Sequence, residues 1–230
     1  MGPLLLALLV LQAAPQPSVR EQYGQLMKQA REEVDRYVKS GAPRGAEADP
    51  RLQWAARLWE LRKQHPEDPI AGHATRESLR LLLDAGRADE ALARIDSLAP
   101  SDAAWGAGIL TQLREASVQK GDPAVFGGRA ARLLAAAPDA EFRARVHFAI
   151  GRFHVTREER EQAEAAFEAA IAAGASTEFG KRAKAEIHEL RSLNLGQPAP
   201  AFAVRSLAGK QVGNADLRGH ATVFVYWASW

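Results

Sequence analysis

No cysteine occurs among the 230 residues, which excludes disulfides, thiolate metal sites and cysteine nucleophiles within the sequence as written. An excess of one charge is also missing. Lys and Arg total 30 against 28 Asp and Glu, and a formal net charge of +2 leaves no basic field to hold nucleic acid. No apolar run reaches the roughly 20 residues that a membrane-spanning helix needs. Motifs of catalysis are absent too: there is no P-loop, no GxSxG and no dinucleotide-binding glycine pattern. Six histidines, His65, His73, His147, His154, His188 and His220, show no HxxxH or HExxH spacing. His147 and His154, seven apart, could share a helix face, but packed or exposed histidines are the better reading, and no metal or cofactor is expected.

What is present is an ordinary globular composition, 47% hydrophobic and 25% charged, enough for one large domain or two small ones. At the N-terminus an apolar run from Leu4 to Leu11 is followed by small residues and then Pro15 and Pro17. This predicts a signal peptide over residues 1–17, cut near Ala13 or Ala14, although no Lys or Arg precedes the run. A short buried helix is the alternative. With a signal peptide the protein is exported, to the periplasm or another extracytoplasmic space, and keeps no stable membrane span after cleavage.

Residues 18–193 have helical period almost throughout. In SVREQYGQLMKQAREEVDRYVKSG the apolar positions Tyr23, Leu26, Met27, Ala30, Val34, Tyr37 and Val38 share one face, and Gly41 and Pro43 end the helix. The stretch GAPRGAEADP reads as a polar linker into a helix whose stripe is Leu52, Ala55, Trp59 and Arg62. Beyond it, Gly86 and Gly121 each separate two helices and lie 35 positions apart, close to the tetratricopeptide period of roughly 34. A third unit contains Ile150, Gly151, Ala163, Phe167 and Ala170 where such repeats place small and large packing residues. Phe126, by contrast, takes a small-residue position, and His154 and Leu82 stand where aromatics are usual. The predicted fold is mainly α: a solenoid of tetratricopeptide-like helical hairpins. Its concave surface would suit a protein partner, and a structural spacer is the other reading.

From residue 194 to 230 the period changes from helix to strand. After a Gly/Pro-rich linker, Phe202 and Val204 alternate with Ala203 and Arg205 as a half-exposed strand. A turn at Ala208, Gly209 and Lys210 leads into Gln211 and Val212, and Asn214 is placed to cap one helical turn ending at Gly219. ATVFVYWAS then reads as a central strand covered on both faces.

The order Gly196, Ala199, Pro200, Phe202, then Gly209 and Lys210, then Leu217, Arg218 and Gly219, then Tyr226, Trp227, Ala228, Ser229 and Trp230 resembles a known family. It is similar to the opening of the extracytoplasmic thioredoxin-like thiol:disulfide oxidoreductases of the TlpA/ResA type, relatives of the AhpC/TSA peroxiredoxin group. His220 stands where that family usually has lysine, and Tyr226 where it has phenylalanine. The resemblance covers 37 residues and implies that this segment is the incomplete β start of a thioredoxin-like α/β domain.

It also implies a catalytic cysteine immediately after Trp230, flanked by Tyr226, Trp227, Ala228, Ser229 and Trp230, and none within the sequence itself. In the family that cysteine begins a helix whose dipole and free N–H groups lower the thiol pKa. Its thiolate attacks a substrate disulfide, and a second cysteine three residues on resolves the mixed disulfide. An ending at this position is expected from an incomplete gene, from a natural truncation or, as the favoured explanation, from a UGA codon that inserts selenocysteine. The implied function is an exported thiol:disulfide oxidoreductase acting on protein disulfides or dithiols. The alternatives are a non-enzymatic helical adaptor and, third, a peroxiredoxin-like thiol peroxidase.

Overall fold

A computed structural model describes residues 17–192, 198–219, 221–223 and 225. The chain is mainly α-helical and forms two compact units, residues 1–138 and 139–230. The first holds α1 (Val19–Lys39), α2 (Pro50–Gln64), α3 (Pro69–Asp84), α4 (Ala88–Asp96), α5 (Ile109–Lys120) and α6 (Pro123–Ala135), with a short 3-10 turn at Ala103–Ala107. The second holds α7 (Ala140–Val155), α8 (Arg160–Gly174), α9 (Glu178–Ser192) and the strands β1 (Ala203–Arg205) and β2 (Gln211–Gly213), followed by a 3-10 turn at Asn214–Leu217.

Local chemistry sets the helix starts. Ser18 and Glu21 form a reciprocal capping box at α1. The dipeptide Asp-Pro opens α2, α3 and α6: the carboxylates of Asp49, Asp68 and Asp122 accept from the backbone N–H groups of Arg51, Ile70 and Ala124, and the proline sits where no N–H is needed. Asp139 caps α7 through the Phe142 amide at 2.7 Å.

In the first unit α3 is enclosed nearly all round, with Ala74, Leu79, Leu81, Leu82 and Leu83 at 3% exposure or less. A fully buried leucine contributes about 2 kcal/mol over an exposed one, so this run is a substantial part of the unit's core. Its buried hydroxyls are satisfied: Thr75 donates to the Ala71 carbonyl and Ser78 to the Ala55 carbonyl of α2.

Several sequence expectations change here. Leu52 and Trp59 are only half-buried, while Trp54, Leu58 and Leu61 form the buried stripe of α2 beside Ala55. The helix packs against both α1 and α3, so its buried arc is set by two neighbours rather than by one apolar face. On α1 only Ala30 is fully buried, and Val38 is 58% exposed. The supposed linker is an anchored connection: Arg44 donates to the carbonyls of Leu83 and Asp84, and the Gly45 N–H donates to Asp49 at 2.8 Å.

Helical pairing follows the repeat spacing. Gly86 (φ 76°) and Gly121 (φ 66°) both hold left-handed backbone at the turns α3–α4 and α5–α6. The α7–α8 turn does the same with Glu158 (φ 61°), 37 positions after Gly121. In the second unit Phe148, Ala163, Phe167, Ala170, Ala183 and Ile187 form the core of the three helices.

Candidate functional site

The motif residues predicted from sequence fall in the C-terminal segment. Ala199, Pro200, Phe202, Gly209, Lys210, Leu217 and Gly219 are described, whereas Gly196, His220 and Tyr226, Trp227, Ala228, Ser229 and Trp230 lie outside the described residues. β1 and β2 pair antiparallel, with Ala203 opposite Gly213, Val204 opposite Val212 and Arg205 opposite Gln211. The turn between them begins at Ser206, earlier than the expected Ala208: the Gly209 N–H donates to the Ser206 carbonyl at 2.8 Å, and the Ser206 N–H to the Lys210 carbonyl at 2.8 Å. Gly209 takes φ 80°, the left-handed position that closes a three-residue hairpin loop.

Asn214 has a different role from the expected cap. Gly213 precedes the 3-10 turn, and its N–H donates to Asp216 at 2.9 Å. The Asn214 amide reaches backwards instead. Its Oδ1 accepts from the Phe202 N–H at 2.8 Å, and its Nδ2 donates to the carbonyls of Ala199 and Pro200 at 3.3 and 3.0 Å. One side chain thus ties Ala199, Pro200 and Phe202 to the end of β2. A short polar side chain that competes for nearby backbone groups is the sequence signal for such a clamp, but its direction is decided by the hairpin register.

Most of the expected central strand, position 224 and positions 226–230, lies outside the described residues. Ala221, Thr222, Val223 and Val225 are not paired in a sheet, and Val223 and Val225 are 85% and 77% exposed. A strand is held by partners on its edges, and the described sheet has only β1 and β2. Lys210 and Arg205 are exposed, and among the described residues no three His, Asp or Glu side chains gather in a way that could hold a metal.

The first unit contributes a groove of about 630 Å³ between α1 and α3. Tyr23, Met27, Val34 and Leu81 form its apolar part, with Arg76, Glu77 and Arg80 beside them. Glu77 accepts from Arg80 at 2.8 Å, and burial together with the Glu77 charge pushes the Tyr23 hydroxyl pKa up. On α2, the Trp59 ring lies 5.4 Å from the Arg62 guanidinium and 5.2 Å from that of Arg94. Arg94 donates to the Ala55 carbonyl at 2.9 Å and to Ser78, and burial lowers its pKa. This arginine bridges α4 to α2 and α3, a structural role.

Of the histidines, His154 stands 2.7 Å from the Glu159 carboxylate, and burial lowers the pKa of His147. Comparison with protein-family models, with curated proteins and with solved structures finds no match to this chain.

Proposed function

We propose that the chain belongs to an exported thioredoxin-like thiol:disulfide oxidoreductase, whose helices engage the protein substrate or a partner and whose C-terminal segment leads into the redox centre. The observation that carries this reading is the ordered motif from Gly196 to Trp230. Supporting it, Ala199, Pro200 and Phe202 are held by Asn214 against the hairpin that contains Gly209 and Lys210, so motif residues scattered along the sequence form one local unit.

The chemistry is dithiol/disulfide exchange. A thiolate or selenolate supplied by the residue that follows Trp230 in the family pattern attacks one sulfur of a substrate disulfide and expels the other as a thiolate. A second cysteine then displaces the substrate and leaves the enzyme's own pair oxidised. No group in residues 1–230 performs that step, since cysteine is absent.

The test is to read the gene beyond codon 230, express the longer frame and measure reduction of insulin disulfides with dithiothreitol as the electron source. The expected result is catalysis that disappears when the first residue after Trp230 is replaced by serine. No such frame, or an inert product, overturns the redox reading. A non-enzymatic adaptor is the second reading, favoured by the groove lined by Tyr23, Met27 and Val34, and it is the one left standing in that case.

A further inference from the structure

Phe179, in the first turn of α9, carries two cations. The Arg145 guanidinium of α7 lies 5.0 Å from its ring centroid and that of Arg182, one turn further along α9, lies 5.3 Å away. Arg182 is also 4.7 Å from the centroid of Phe148, and the two phenylalanine rings are 5.6 Å apart at an angle of 56°. These guanidiniums are held by aromatic rings more than by acids. Arg145 comes no closer than 3.9 Å to Glu141, and Arg182 reaches Glu178 at 3.4 Å between two exposed side chains.

Of the other acids, exposed Glu189 lies seven positions beyond Arg182, near the C-terminal end of α9, and two are engaged elsewhere. Asp139 accepts from the Phe142 amide, and Glu186 is paired with Arg152 at 2.9 Å. Meanwhile the same stretches of α7 and α9 carry Arg143, Lys181 and Lys184, all exposed. The Nε of Arg145 is buried with no hydrogen-bond partner. That nitrogen is closed to a docking partner, so a carboxylate can be taken only by the terminal nitrogens of the partly exposed Arg145 side chain, and a guanidinium already fixed on a ring loses little freedom in taking one.

We propose that this face of α7 and α9 binds an acidic peptide segment, whose carboxylates accept from Arg145 and Arg182 and whose apolar side chains lie against Phe179. Planar guanidiniums, rather than the neighbouring lysines, set the recognition, because their paired donors match a carboxylate. The proposal deepens the reading of the helices as the part that engages protein, and it is independent of the redox chemistry.

The experiment uses the 230-residue protein and fluorescence anisotropy of a short labelled Glu/Asp-rich peptide bearing one phenylalanine. The control is the same peptide with every acid changed to its amide. The acidic peptide binds and the amide version does not. Arg182→Gln, an exposed side chain whose loss leaves the far-ultraviolet circular dichroism unchanged, weakens binding by about tenfold or more. Arg182→Lys keeps the charge but loses most of that affinity, while Lys28→Gln and Lys39→Gln on α1 bind as the parent does.

Failure of the acidic peptide to bind, parental affinity in Arg182→Gln, or equal losses in the α1 variants overturns the proposal, the last because it shows diffuse charge attraction. Peptide binding with an inert longer frame overturns only the redox reading. An active frame without peptide binding overturns only this one.

Discussion

The Cβ that Gly151 lacks would stand 2.4 Å from the Phe167 ring, so these two residues of α7 and α8 fit together only as a pair. The contact is with the ring of a fully buried side chain, not with the end of a flexible one, and neither helix can yield without repacking Phe148 and Ile187.

Gly151→Ala therefore destabilises the protein by about 1–3 kcal/mol, the usual range for an overpacked core. This outweighs the roughly 1 kcal/mol that alanine gains over glycine inside a helix. Urea unfolding followed by circular dichroism measures it, and the double variant Gly151→Ala/Phe167→Leu should recover part of the loss. An unchanged midpoint in the single variant would show that the two helices are not this close.

The α7–α8 turn carries its own strain. Glu158 occupies the left-handed position with the same two backbone bonds that surround Gly86: Glu158 N–H to the Val155 carbonyl and Glu159 N–H to the His154 carbonyl, against Gly86 to Leu83 and Arg87 to Leu82. Glu158→Gly is expected to raise stability by up to about 1 kcal/mol, because a side chain in this region costs about that much. Gly86→Ala should lower it by a similar amount. Thermal melts of both variants check the sign, and a destabilised Glu158→Gly would contradict the turn geometry.

Asp49 anchors the connection between α1 and α2. It is 2% exposed, pairs with Arg51 at 2.8 Å and accepts from the Gly45 N–H at 2.8 Å. Burial alone would raise its pKa, but the bonds from Arg51 and from the Gly45 and Arg51 amides outweigh it and hold the carboxyl below its ordinary value. A depressed folded pKa gives stability that is present above the unfolded value, about 3.9, and lost as pH falls through the folded one. Asp49→Asn should cost about 1–3 kcal/mol at neutral pH, and the deficit should shrink below about pH 4 as the parent itself loses the charge. Urea midpoints from pH 7 downward decide it, a pH-independent deficit being the contrary result.

Asn214 provides a local test of the motif segment. Asn214→Ala removes the acceptor for the Phe202 N–H and the donors to Ala199 and Pro200, so hydrogen exchange at Phe202 should become faster while the melting of the helices stays the same. Unaltered protection at Phe202 would mean that the clamp does not hold the segment.

Much of the fold was legible locally. Gly86 and Gly121 marked two turns, because left-handed turns depend on residues only a few positions apart; the Asp-Pro pairs that open α2, α3 and α6 are equally local signals, although the reading of the sequence did not rest on them. The third turn was harder to see, since glutamate at position 158 is not a residue whose backbone preference announces a left-handed conformation. The motif residues themselves were readable, but the clamp by Asn214 was not, because its direction depends on where the strands pair.

The sequence by itself determined that the chain is mainly helical and that Gly86 and Gly121 lie at turns between helices, for these follow from periodicity and local backbone preference. Tertiary structure decided that Trp54 and Leu58 rather than Leu52 and Trp59 are buried, that Arg44 and Asp49 anchor an apparent linker, and that Arg145 and Arg182 share the ring of Phe179. Periodicity names a face, but burial depends on how many neighbours that face meets. A contact between residues 34 positions apart, such as Arg145 and the ring of Phe179, exists only once the helices have packed.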